Sequence, residues 1–167
     1  MSERPKLKLF PRTTAGVVTI NPPREEINNS RPGYYVRMDE GVMFQVESTP
    51  GLHTVLTQGL CGCVAIPIRI KYKGKNYIFL NHIDSDTDRG IGIDDTIDRI
   101  IETIRTFDDL REFDFRDTRY NTTVAIVATG FGENTTLAHA VLQKMTNILG
   151  RGRECFIIQR NSVAFVI

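Results

Sequence analysis

The segment Thr57-Gln58-Gly59-Leu60-Cys61-Gly62-Cys63, followed by His82, is where this chain could do chemistry. A cysteine attacks as its thiolate, and a neighbouring imidazole favours that form as an ion pair. A strand end broken by glycine, followed at once by another strand, holds one side chain rigidly at the lip of a sheet and exposes backbone amides. A nucleophile needs both a fixed direction and N–H donors for a developing oxyanion. A thiolate held there could attack a carboxamide, form a thioester, release ammonia and be freed by water that His82 activates. Cys63 is therefore the candidate nucleophile and His82 its base. Cys61 has the same strand parity and is the rival nucleophile. Cys155 lies in Cys-Phe-Ile-Ile and is expected to be buried and inert. An odd cysteine count argues against a disulfide framework. The competing reading, a strand cysteine that is only a small hydrophobe, stays open on these residues alone.

The elements that must position these groups are short and β-rich. Val64, Ile66, Ile68, Ile70 and Tyr72 alternate along one strand face, Lys73-Gly74-Lys75-Asn76 is a turn, and Tyr77–Ile83 returns. With the turn centred on Gly74-Lys75, position 63 faces a residue near 86 and His82 lies a few residues inward, so a bulge or offset is expected to bring the two side chains together. Tyr34–Met38 and Val42–Glu47, separated by Asp39-Glu40-Gly41, read as another hairpin. Leu52–Gln58, Thr123–Thr129, Cys155–Gln159 and Val163–Ile167 read as strands, the last two joined by an Arg160-Asn161 turn. Ile97, Ile100, Ile101 and Ile104 form one helical stripe, with Asp94 and Asp95 placed as an N-cap. A second helix starts near Asn134, buries Leu137, Val141, Met145 and Ile148, and ends at Gly150. Residues 1–33 are Pro-rich and read as an N-terminal arm, with one strand over Val17–Ile20. Residues 34–167 form a single domain. The fold class is α+β: mostly antiparallel sheets, sandwich-like, with two helices packed on one face.

Composition narrows the partners. The apolar fraction of 41% and charged fraction of 25% suit a globular protein. The 21 basic and 20 acidic side chains leave a net charge of +1, so neither nucleic acid nor an anionic membrane is expected as partner. No apolar run approaches the roughly 20 residues that span a bilayer. Met1 to Pro11 lacks the apolar core of a signal peptide, so cytosolic synthesis is expected. A monomer is favoured, and no cofactor and no metal are expected. Asp84, Asp86, Asp88 and Asp95 imitate a calcium loop, but Arg89 stands where that loop needs glycine. The segment reads instead as a solvated acidic loop that could orient His82 through Asp84. Cys61, Cys63 and His82 lack the second ligand pair of a structural zinc site. Gly130-Phe131-Gly132 before a helix has the form of an anion site without the lysine of a nucleotide loop. His53 and His139 read as surface residues.

The pattern Thr57-Gln-Gly-Leu-Cys-Gly-Cys63 with His82 on the next strand resembles the glutamine deamidase superfamily. That superfamily includes the chemotaxis receptor deamidase and the catalytic domain of the cytotoxic necrotizing factors. The Leu-Cys-Gly-Cys form is most similar to the toxin branch, which includes the Burkholderia lethal factor. Element order over about residues 52–167 resembles the chemotaxis enzyme. The resemblance implies a protein-glutamine deamidase, plausibly a bacterial toxin or effector that modifies a host protein after secretion or injection. It implies Cys63 as nucleophile, His82 as general acid/base and Thr57 as the residue that supports the imidazole. Leu60, Cys61 and Gly62 would then form the substrate and oxyanion turn, and the partner would be a protein carrying the target glutamine. The chain departs from the chemotaxis enzyme at His82-Ile-Asp-Ser-Asp and at Ala128-Thr-Gly-Phe-Gly132, which points away from a chemoreceptor substrate. The alternatives are a non-catalytic protein-binding domain on the same fold and a chemoreceptor-type deamidase.

Overall fold

Alternation decides the layering. In strand β4 (Gly41–Gln45), Val42 and Phe44 join one buried cluster and Met43 joins another. In β8 (Lys75–Asn81), Leu80 belongs to the first cluster, and Tyr77 and Phe79 to the second. Successive side chains of a strand point to opposite faces, so a sheet apolar at every position must be covered on both sides. The computed structural model describes residues 7–9, 17–20, 31–129, 134–150, 153 and 155–167, and it has this three-layer form. The protein is α+β, with mostly antiparallel sheets and its helices on one side.

The middle layer is a five-stranded sheet in the order β2 (Val17–Ile20), β4, β8, β7 (Ile68–Tyr72), β9 (Asn121–Val124). Its inner face packs on helices α1 (Ile91–Arg105) and α2 (Asn134–Leu149) through Ile68, Ile70, Phe79, Ile97, Ile100, Val141 and Met145. Burying one such side chain stabilises the fold by about 1.5–3 kcal/mol. The outer sheet has the order β1 (Leu7–Leu9), β3 (Arg31–Tyr35), β5 (Thr54–Gln58), β12 (Ser162–Val166). Tyr34 and Phe44 meet edge to face across the two sheets, with centroids 5.2 Å apart. A small third sheet, β6 (Val64–Ala65), β10 (Ile126–Ala128) and β11 (Ile157–Gln159), closes one end.

The β7–β8 hairpin stands as expected, with its turn one residue earlier. Lys73 and Gly74 both take positive φ, 50° and 73°, the pair of left-handed residues that a two-residue turn between twisted strands requires. Tyr72 then pairs with Lys75, and a bridge between Val64 and Ile83 keeps the same register at the far end. Position 63 therefore faces 84, not 86.

Three expected pairings fail for one reason: the chain changes sheets at its corners. Tyr34–Met38 and Val42–Glu47 are not a hairpin, because β3 lies in the outer sheet and β4 in the middle one. The Arg37–Glu40 turn, with Asp39 at φ 63°, carries the chain across. Thr123–Thr129 is not one strand. Ala125 separates β9 from β10, which lie in different sheets. The two last strands also part company, β11 pairing with β10 and β12 with β5. Leu7–Leu9 adds a strand, parallel to β3, that the sequence pattern does not announce. At the start of α1, Asp94 sits in the first turn, but Asp88 does the capping: its Oδ1 accepts from the Gly90 and Gly92 amides. Those two bonds, the Gly90 amide first, hold the Asp88 carboxyl below the usual carboxylate range. Gly150 ends α2 at φ 76°.

Candidate active site

The site lies where the middle and outer sheets meet the broken end of the β7–β8 hairpin. The strand-to-strand bonds lapse at Ile66, whose register partner is Asn81. Ile66 turns its amide to the Asn81 side chain instead, 2.7 Å from Oδ1. Past this break the register persists, so Ala65 faces His82 and Cys63 lies one diagonal step further on the same face. Diagonal neighbours on a sheet are about 7–8 Å apart between Cα atoms. No bulge is needed to make Cys63 and His82 neighbours, because parity alone gives them a common face. Leu80 sets the direction of that face, towards the outer sheet.

Thr57 reaches the imidazole from the other side. On β5 it alternates with Leu56 and Gln58 and is fully buried. Its Oγ1 lies 2.8 Å from the Val36 carbonyl oxygen and 2.9 Å from His82 Nδ1. One hydroxyl has one proton. The carbonyl can only accept, so Thr57 donates to Val36, and Nδ1–H of His82 donates to Thr57. The remaining ring nitrogen, Nε2, then carries a lone pair. It is buried and has no hydrogen-bond partner among the described residues. The backbone fixes the ring further: the His82 amide donates to the Glu40 carbonyl and the His82 carbonyl accepts from Asp39.

The electrostatics correct one expectation. A thiolate–imidazolium pair would need a lowered thiol and a raised imidazole. Burial pushes the Cys63 thiol up, with Asp84 and Asp39 adding to it against the Ser85 amide. Burial pushes His82 down, against the opposing pull of Asp39 and Asp84. Both groups are neutral at rest, and Sγ and Nε2 form no hydrogen bond. Cys63 Sγ lies 4.0 Å from Met38 Sδ, on a side chain that is itself 55% exposed. Asp84 does not orient His82, because its carboxylate accepts from Ser85 and Asp86 within its own turn.

The cysteine turn is pinned at both ends. Gly59 and Gly62 take φ of 74° and 90°, which a side chain would oppose. The Leu60 amide donates to the Asn161 carbonyl, and the Leu60 carbonyl accepts from the Thr129 hydroxyl. Leu60 is fully buried, so its side chain supports the turn from below and its amide is already engaged. The amides of Cys61, Gly62 and Cys63 make no backbone hydrogen bond among the described residues and remain as the donors of the turn. Cys61 is exposed beside Asn161 Oδ1, at 3.6 Å. Cys155 is half-buried, its thiol pushed up by burial. His53 and His139 are exposed. Gly130-Phe131-Gly132 lies outside the described residues.

Met38, Asp39, Asn81, Thr129 and Asn161 join the site without any motif to mark them. Each arrives from a distant turn or strand end, so only the pairing of sheets brings it in. Asn81 had one readable signal: it immediately precedes the candidate base. Among the described residues no three His, Cys, Asp or Glu side chains gather as a metal site, and no helix is long and apolar enough to cross a membrane. No protein-family model matches this chain, and no curated protein matches it in sequence.

Proposed function

We propose that the chain is a cysteine-dependent protein-glutamine deamidase, with Cys63 as nucleophile and Nε2 of His82 as its base. The observation that carries this reading is the buried Thr57–His82 bond, which leaves Nε2 deprotonated, unpartnered and on the same sheet face as the Cys63 thiol. A core histidine with no catalytic work has little reason to keep a buried lone pair unpaired, since an unmade buried hydrogen bond costs about 1–3 kcal/mol.

In the proposed reaction a glutamine side chain displaces Met38 and draws Sγ and Nε2 together. Nε2 takes the thiol proton as sulfur attacks the carboxamide carbon and the S–C bond forms. The amides of Cys63 and its turn donate to the oxyanion. Collapse breaks the C–N bond, and the Nε2 proton goes to the departing nitrogen, which leaves as ammonia. Water then gives a proton to Nε2 and attacks the thioester. The C–S bond breaks, sulfur recovers its proton, and the product is glutamate. No cofactor enters. Starting from a neutral pair, the enzyme would make its thiolate only when substrate closes the site, which spares the resting thiol from adventitious reaction. The resemblance of Leu60-Cys61-Gly62-Cys63 to the toxin branch supports a bacterial effector acting on a host protein.

The test uses unfolded casein as substrate. Wild-type protein is expected to raise its mass by about one dalton per event and release ammonia, as thioester hydrolysis requires. Cys63→Ala and His82→Ala are expected to do neither. Casein left unchanged in mass by the wild type, or changed equally by both variants, overturns the reading. The raised thiol and the missing Sγ–Nε2 bond favour one other reading, a protein-binding domain without turnover. It predicts a folded protein that captures a partner and never changes its mass.

A further inference from the structure

The middle sheet has five strands and the outer sheet four. The layers superpose in order. β3 lies over β4 through Tyr34 and Phe44, and β12 lies over β7, where the Arg69 guanidinium sits 5.7 Å from the Phe165 ring centre. Among the described residues nothing lies over β9. A groove of about 400 Å³ runs there, lined by Pro67, Arg69, Lys71, Asn121, Thr123 and Phe165.

Among the described residues the edge of β12 along this groove is open. The Ile167 amide donates to the His53 carbonyl and the Asn161 carbonyl accepts from Leu60. In an antiparallel pair, backbone groups turn inward at every second residue. Residues 161, 163, 165 and 167 therefore face β5, while Ser162, Ala164 and Val166 turn their N–H and C=O groups outward. The floor of the groove follows from register as well. Arg69 pairs with Thr123 and Lys71 with Asn121, so all four share the face turned towards the outer sheet, and all four are exposed. Among the described residues neither Arg69 nor Lys71 has an acidic partner.

We propose that the open edge of β12 binds an extended acidic segment of a partner protein, which adds a fifth strand to the outer sheet with its carboxylates over Arg69 and Lys71. Strand addition of this kind takes affinity from main-chain bonds and specificity from alternate side chains. Here alternate side chains of the guest would point down at two cations, two neutral polar groups and the Phe165 edge. A second copy of this chain is a poorer guest. Its own β12, Ser-Val-Ala-Phe-Val, has no acidic side chain to bring to Arg69 and Lys71. The inference does not depend on Cys63. Asn161, which touches Leu60 and Cys61, is the residue just before β12, so the docked segment would end beside the cysteine turn.

Calorimetric titration of the full chain tests this with two soluble peptides, one alternating valine with glutamate and its twin alternating valine with lysine. The glutamate peptide is expected to bind and the lysine peptide not to. Ala164→Pro removes one outward amide and blocks close approach, so it should weaken binding at least about tenfold while the thermal melt stays unchanged. Val166→Pro serves the same purpose if Ala164→Pro fails to fold. Arg69→Glu with Lys71→Glu should reverse the preference between the peptides. Undiminished binding by the proline variant that folds refutes strand addition, and equal affinity for both peptides refutes the acidic guest. Absence of binding by either peptide, or a dimer that the proline variant abolishes, also overturns the proposal.

Discussion

The two ends of the β7–β8 hairpin follow opposite rules. At the turn end, Lys73 and Gly74 close the loop and paired residues continue from Tyr72–Lys75 to Ile68–Phe79. At the other end the ladder lapses at Ile66, the Asn81 side chain stands in for the missing strand bond, and His82 and Cys63 follow. A continuous ladder engages every backbone group with its neighbour. A broken one keeps the register yet frees amides and side chains for a ligand. The same hairpin thus serves as a ruler at one end and as a site at the other.

Substitutions at the two ends should separate those roles. The largest effect is expected from Cys63→Ala, which should lower deamidation of casein by at least about 10³-fold, whereas Cys61→Ala should leave it within about threefold. Rates of ammonia release decide this. Next comes Thr57→Val, which keeps the shape but loses the bond to Nδ1. Turnover should fall about 10²-fold with KM little changed, the range for a misdirected general base. Thr57→Ser should restore it, and a purely packing role for Thr57 would give the opposite ranking.

Asn81→Leu leaves the buried Ile66 amide without an acceptor and should cost about 2 kcal/mol in urea unfolding. The fourth effect concerns pH. His82 has a folded pKa below its ordinary 6.5, so on acidification the unfolded chain takes the proton first. Its contribution to stability is complete above pH 6.5 and is lost as the pH falls through and below that value. Urea midpoints at pH 7.5 and 5.5 should therefore diverge more in wild-type protein than in His82→Gln. The smallest effect belongs to the turn end. Gly74→Ala places a side chain at φ 73° with open space around it, so only backbone strain is felt, about 1 kcal/mol, and turnover should not change.

Much of this was readable along the chain. The alternation of Val64, Ile66, Ile68 and Ile70 announced one apolar strand face, and all four lie in the helix-facing cluster, although the run divides into β6 and β7 of different sheets. The Ile97, Ile100 and Ile104 stripe announced α1, and its members are buried. Parity along the hairpin put Cys63 and His82 on one face. Outside the β7–β8 hairpin, the inferences that neighbouring strands pair with each other failed. Tyr34–Met38 and Val42–Glu47 looked like a hairpin because a short polar turn joins them. A turn that leads to a partner in the same sheet and one that crosses to another sheet have similar compositions.

The residues themselves determined the period of each element, the hairpin turn and the types of group that could react. Those are local properties, fixed by φ/ψ preference and by alternation over a few neighbours. Tertiary structure alone decided that Thr57 from one sheet meets His82 from another, that Met38 lies against the thiol, and that Cys63 and His82 both rest neutral. Protonation depends on what surrounds a group in space, above all on how much water burial removes. That surrounding is assembled from segments far apart in the chain, so no stretch of sequence contains it.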